Sequence, residues 1–252
     1  VAACFGMPGF GESPSADAAA TMQITEALPD IQLTFANDVH CAWAGAGALN
    51  PGICLIMGTG AMTWAVDHQG TSHRCGGWSE FFSDEGSGYW LGLETIRLFS
   101  QQSDGRLPRG PLYDIVQNHF HLVNDFDIVA IVEHELIGSR ARLAALQPLL
   151  AQAADAGDAT AIRTYAQAAE ELARLVLATA QKMSPSPSPI PVWCVGGLTA
   201  LETHLLAPIR QAIETNARSA IEFHSPKLTP CQGAILLAAS HYAPDQAPPL
   251  TS

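Results

Sequence analysis

Three apolar runs of strand length each break off into residues that no strand continues through. Ile31–Ala36 ends in Asn37–Asp38, Gly52–Met57 in Gly58–Thr59–Gly60, and Val192–Val195 in Gly196–Gly197. Between them lie segments with apolar residues three and four apart, clearest over Asp158–Lys182 at Ile162, Tyr165, Ala169, Leu172, Val176 and Ala180. Strands alternating with helices predict α/β layers. In open sheets of that kind ligands bind beyond the carboxyl ends of the strands, where these breaks fall.

The other elements follow the same logic. Val1–Phe5 reads as a short buried strand stopped by the Gly/Pro turn Gly6–Gly11, Ser15–Leu28 as an Ala-rich helix, and Val39–Ala48 as a small-residue helix. Ala61–Asp67 and Thr71–Cys75 read as a hairpin around Gln69–Gly70, and Tyr89–Ser100 as a helix. Pro111–Lys182 is helical. Ser184–Pro191 is a stiff extended connector, and a helix follows Gly197 to about Ile213. Ile221–Phe223 is a strand, Gly233–Tyr242 a helix, and the Pro-rich end a disordered tail.

Composition removes whole classes. Among 252 residues, 24 are acidic and 12 basic, for a net charge of −12, and no basic run exists. Phosphate neutralisation needs clustered Lys or Arg, so a nucleic-acid partner is not expected. An anionic membrane surface is excluded on the same ground, and no apolar stretch is long enough for a span. The six cysteines, Cys4, Cys41, Cys54, Cys75, Cys194 and Cys231, form no C-x-x-C and read as free thiols of a reducing, cytoplasmic protein. No secretory leader is visible. The nine histidines show no metal-ligand spacing, so no metal held by side chains alone is expected. No G-x-S-x-G elbow, G-x-G-x-x-G or G-x-x-x-x-G-K-[ST] occurs.

Each strand-end break has a plain reading: the glycine pairs as tight turns, Asn37–Asp38 as a helix cap. Each also has a chemical one. Glycines let peptide N–H groups approach a phosphate, and a carboxylate at a cleft edge could take the proton of a sugar hydroxyl during phosphoryl transfer. The segment from Cys75, CGGWSEFFSDEGSGYWLG, sets Asp84 and Glu85 between glycines before a helix. Ser83 or Asp84 could cap that helix; Asp84 could equally accept hydrogen bonds from vicinal sugar hydroxyls over a glycine-lined floor.

Taken in order, Asn37–Asp38, Leu55–Gly60 (LIMGTG), Cys75–Ser87, Val195–Leu198 (VGGL) and Pro230–Ala238 (PCQGAILLA) resemble the N-acetylglucosamine kinases of the BadF/BcrA-type branch of the actin-like ATPase superfamily. Pro111–Phe120 is most similar to the bacterial glucosamine kinases of that branch. The resemblance implies an α/β actin-like ATPase, ribonuclease H-like, two-lobe fold: residues 1–49 plus about 232–245 in an N-terminal lobe, 50–231 in a C-terminal lobe, and 246–252 as tail. It implies ATP with Mg²⁺ as cofactors, transfer to the 6-hydroxyl of glucosamine or N-acetylglucosamine, and a homodimer as in many relatives. Asp38 would be the catalytic base. Asn37, Thr59, Gly76, Gly77 and Asp84 would bind the sugar; Gly58, Thr59 and Gly60 the phosphates; Gly196 and Gly197 the adenosine.

Two departures qualify the resemblance. Ala61 and Met62 stand where Ser and a polar residue usually follow the turn, and no D-G-G-x-T or D-x-G first phosphate loop occurs. The resemblance therefore implies an incomplete N-terminal lobe and a truncated chain: a fragment, a mis-called start or a decayed paralogue. An inactive amino-sugar or nucleotide-binding module, and a dehydratase-activating ATPase of the same branch, are the alternatives.

Overall fold

In the computed structural model, which describes residues 1–242, the strand-ending breaks sit on two separate sheets. The smaller is a parallel pair, β1 (Ala2–Met7) with β2 (Gln32–Asn37), joined through helix α1 (Pro14–Ala27). The larger has five strands in the order β5-β4-β3-β6-β7. Its β3 (Gly52–Met57), β4 (Ala61–Val66) and β5 (Ser72–Gly76) form an antiparallel meander, while β6 (Ile190–Val195) and β7 (Ile221–His224) run parallel to β3.

β3 is apolar throughout because both of its faces are covered. Ile53, Leu55 and Met57 face the large core, built with α3 (Gly88–Ser103), α4 (Pro111–Phe120), α7 (Gln147–Asp155), α8 (Ala159–Lys182) and α9 (Ala207–Asn216). Cys54 faces the opposite way, into a second core with Trp193 and with Ala42, Trp43, Ala44 and Ala46 of α2 (Asp38–Ala46). That second core seats α2 on the back of the sheet. The short helix α6 (Arg140–Ala144) packs on α3, while α5 (Asp127–Ile131) runs into a π-helical turn at Val132–Leu136.

Helix α10 (Pro230–Tyr242) locks α2 in place. A Cβ on Gly233 would lie 2.0 Å from the Cys41 carbonyl oxygen, and one on Gly45 would lie 2.3 Å from the Thr229 oxygen, so the two helices touch backbone to backbone. Lys227 and Leu228 donate their N–H groups to the Ala46 and Gly45 carbonyls and so finish α2. The first residue of α2, Asp38, is thereby fixed relative to the large sheet.

Five local expectations need correction. β1 has no buried residue, and it runs on through Gly6 to Met7 instead of stopping at Phe5. Ile162 points outward, 49% exposed; Ala161 with Tyr165, Ala168, Leu172 and Val176 forms the inward stripe, set by the cap at Asp158. Pro191 belongs to β6 rather than to the connector. It is tolerated because pairing with β3 begins only at Val192, so the missing N–H breaks no bond to β3. The single helix expected after Gly197 is a 3₁₀ turn (Gly197–Ala200), a π-helical turn (Glu202–Leu206) and α9, which Pro208 opens at its first turn. Finally, Ser87, not Ser83 or Asp84, caps α3 by accepting from the Trp90 N–H at 3.1 Å. The expected tail at 246–252 lies outside the described residues.

Candidate active site

The site begins at the start of α2. Asn37 is the N-cap, its Oδ1 accepting from the Val39 N–H at 3.0 Å, while its Nδ2 donates to the Phe10 carbonyl at 3.0 Å. Both ends of this buried amide are thus engaged, one holding the helix and one holding the Met7–Glu12 turn. Asp38 follows on the first turn, exposed, with no side-chain hydrogen bond among the described residues. Its carboxylate is free, and it stands in the first turn of the helix, at the positive end of the helix dipole.

Opposite it, the carbonyls of Gly58 and Thr59 accept from the N–H groups of Gly88 and Tyr89 at 2.8 and 3.1 Å. The glycine turn is pinned to the start of α3, and the Thr59 and Gly60 N–H groups have no backbone acceptor among the described residues. Those two donors suit a phosphate. Gly196, at φ +123°, packs so closely that a Cβ there would lie 2.3 Å from the Met57 carbonyl oxygen. The breaks after β3 and β6 therefore meet.

Asp84 is 3% exposed and sits in left-handed backbone at φ +62°. Since Ser87 does the capping, its carboxylate has another occupation. Oδ1 accepts from the Ala61 N–H at 3.5 Å and Oδ2 from Arg140 Nη2 at 2.5 Å. Burial raises its pKa; the Ala61 N–H and Arg140 pull it down, and Glu80 and Glu85 push it up, leaving it above the ordinary carboxylate range.

A cleft of about 380 Å³ collects these groups: Asn37, Asp38, Gly60, Gly77 and Asp84 line it, together with Met62, Trp78 and Arg140. Gly76 opens instead on a neighbouring hollow with Gly77, Arg74 and Lys182. Thr59 is exposed on the turn and is not among the cleft-lining residues. Gly196 lines a third pocket, of about 570 Å³, with Leu206, Phe223, Arg210 and Lys227; Gly197 stands beside it in open space. A glycine-backed floor, apolar walls and two cations fit a nucleotide there. Among the described residues no cluster of three His, Cys, Asp or Glu side chains could hold a metal ion.

Sequence reasoning missed Arg74 and Arg140. Arg74 pairs with Glu12 at 2.6 Å and donates to the Gly77 carbonyl, shaping the cleft floor. Neither arginine lies in a motif; only the folded chain brings them to the site.

The antiparallel meander running into parallel strands, glycine turns at adjacent strand ends, and helices on both faces define an α/β fold of the actin-like ATPase type. The sequence profile of the BadF/BadG/BcrA/BcrD ATPase family matches residues 1–238, and the chain belongs to that family. It is 26% identical over 204 residues to an N-acetylmuramic acid/N-acetylglucosamine kinase of Clostridium acetobutylicum, covering 81% of this chain and 66% of that protein. It is 29% identical over 199 residues to a glucosamine kinase of Vibrio cholerae, covering 78% and 64% respectively. The chain thus spans slightly under two thirds of the length of these relatives. A structure described as an N-acetylglucosamine kinase, from Chromobacterium violaceum, superposes with a TM-score of 0.74 at 28% identity, over 94% of this chain and 75% of that one.

Proposed function

We propose that the protein is an ATP-dependent amino-sugar kinase, transferring the γ-phosphoryl group to the 6-hydroxyl of glucosamine or N-acetylglucosamine. The observation that carries this reading is the cleft in which a free carboxylate, Asp38, shares one cavity with a buried carboxylate, Asp84, beside the glycine turn. Asp38 accepts the proton that the 6-hydroxyl loses as the phosphoryl group arrives. Asp84 accepts hydrogen bonds from ring hydroxyls, with Gly77 and Asn37 in the surrounding wall and Gly76 behind it in the neighbouring hollow. Thr59 and the N–H groups of the Gly58–Gly60 turn hold transferring phosphate oxygens, and Gly196 with Gly197 gives the adenosine its floor. Mg²⁺ travels on the nucleotide, largely through phosphate oxygens and waters.

The two-lobe division at residues 1–49 plus about 232–245 against 50–231 fits this reading, because α10 packs chiefly on α2 and β1. So do a cytoplasmic setting, given six free thiols, and a homodimeric state.

ADP release coupled to amino-sugar addition tests the assignment. Asp38→Asn, nearly isosteric, is expected to lower kcat by about 10²-fold or more while leaving sugar KM within a few-fold. A variant that keeps the full rate removes Asp38 from the role of base.

A further inference from the structure

Asp84 is an expensive residue. A carboxylate this buried has lost most of its water and needs donors in return, and its left-handed backbone adds strain that a non-glycine residue adopts only where its surroundings hold it. Among the described residues two donors reach its oxygens. The Ala61 N–H at 3.5 Å is long and weak; Arg140 Nη2 at 2.5 Å is short and charge-assisted. Glu80 and Glu85 lie near enough to oppose ionisation, and Arg140 also reaches to 3.8 Å of Glu80. The other charged groups lining the cleft are Asp38 and the Arg74–Glu12 pair.

The pair touches the glycine turn. A Cβ on Gly60 would stand 3.0 Å from both Arg140 Nη2 and Asp84 Oδ2, so the bare glycine makes room for it. Arg140 is itself carefully placed. Gly138 turns the chain at φ +84°, Ser139 caps α6 by accepting from the Arg142 N–H at 3.3 Å, and Arg142 ties back to the Glu135 carbonyl at 2.8 Å. Helix α6 then lies against α3 where a Cβ on Gly92 would fall 1.9 Å from the Leu143 oxygen.

We propose that Arg140 is a positioning residue for sugar recognition: reaching across from α6, its guanidinium holds Asp84 Oδ2 and aims the carboxylate into the cleft, so that it can accept hydrogen bonds from hydroxyls of the sugar ring. This rests on the amino-sugar reading of the cleft. Without the guanidinium, Oδ2 loses its charged donor, and burial with the two neighbouring glutamates pushes the Asp84 pKa further up.

The test uses two independent readouts on the full chain. The first is the titration of the Asp84 carboxyl carbon by ¹³C NMR without ligand, assigned with Asp84→Asn. Arg140→Gln is expected to raise its midpoint by about one pH unit or more, and Arg140→Lys to restore most of the wild-type value. The second is calorimetric titration with N-acetylglucosamine and glucosamine. Arg140→Gln is expected to weaken the sugar that wild type binds by about tenfold at pH 7 and to move the acid limb of binding to higher pH. An Asp84 midpoint unchanged in Arg140→Gln overturns the role of Arg140 whether or not sugar binds. A shifted midpoint in a protein that binds neither sugar overturns the amino-sugar reading and leaves the Arg140–Asp84 coupling standing.

Discussion

Asp158 shows how much one side chain can hold. It caps α8 through the Thr160 and Ala161 N–H groups, and it also accepts from the Leu112 N–H at 3.0 Å and from Gln102 Nε2 at 3.0 Å. One carboxylate thus ties α8, α4 and α3 together. Burial raises its pKa, but the hydrogen bonds from Thr160, Gln102, Leu112 and Ala161 outweigh burial and hold it below the usual range. A group depressed in the folded state lends stability above its unfolded pKa, and that stability is lost as pH falls through the folded value. Asp158→Ala is expected to cost about 3 kcal/mol near pH 7 and less below about pH 4, as read by urea unfolding at the two pH values. A penalty equal at both would show that packing, not the ionised cap, is what the residue supplies. The start of α8 at Asp158 was legible because a helix boundary is local. Asp38 and Asp84 were legible as candidates for the same reason: each stands at a break that sequence displays. Arg140 was not, since its partner is 56 residues away and nothing in a helical stretch marks which arginine turns inward.

At the scale of elements, periodicity and punctuation carried most of the information. β3, the β4–β5 hairpin and α8 fall within a residue or two of where their patterns put them. The misses have common causes. A π-helical turn keeps an apolar pattern while changing its period, so the segment after Gly197 read as one helix. Ile162 looked like core because it is apolar, whereas the smaller Ala161 occupies the inward face. The α2–α10 contact was also invisible, since glycines selected for backbone proximity look like any small-residue helix. Gly233→Ala is expected to destabilise the protein by about 3 kcal/mol, lowering Tm by roughly 6–12 °C, because no side-chain motion can relieve a clash with the Cys41 carbonyl. The exposed Ile235→Ala on the same helix should shift Tm by a degree or two at most. Calorimetry that finds the two variants alike would remove close packing as the reason for glycine at 233.

At the scale of the molecule, the candidate cleft lies between the unit built from β1, β2, α2 and α10 and the large sheet with its helices. A ligand that bridges the two should stabilise the whole chain by linkage. At about one hundred times its Kd an amino sugar is expected to add ~2.7 kcal/mol, or about 5 °C or more in Tm. Mg–ATP should add a further increment, since the pocket proposed for it beside Gly196 is distinct. A rise with nucleotide but none with either amino sugar would move the protein out of the sugar kinases. The seam between the units also carries His40, with ring centroids 5.2 Å from Trp64 and 5.6 Å from Trp43. Burial lowers the His40 pKa. Because those two indoles straddle the joint while Trp78 stands in solvent at the cleft mouth, intrinsic fluorescence should split into a shielded and a quencher-accessible population. The protein thereby carries an optical gauge of the seam between its units, readable without attaching a dye.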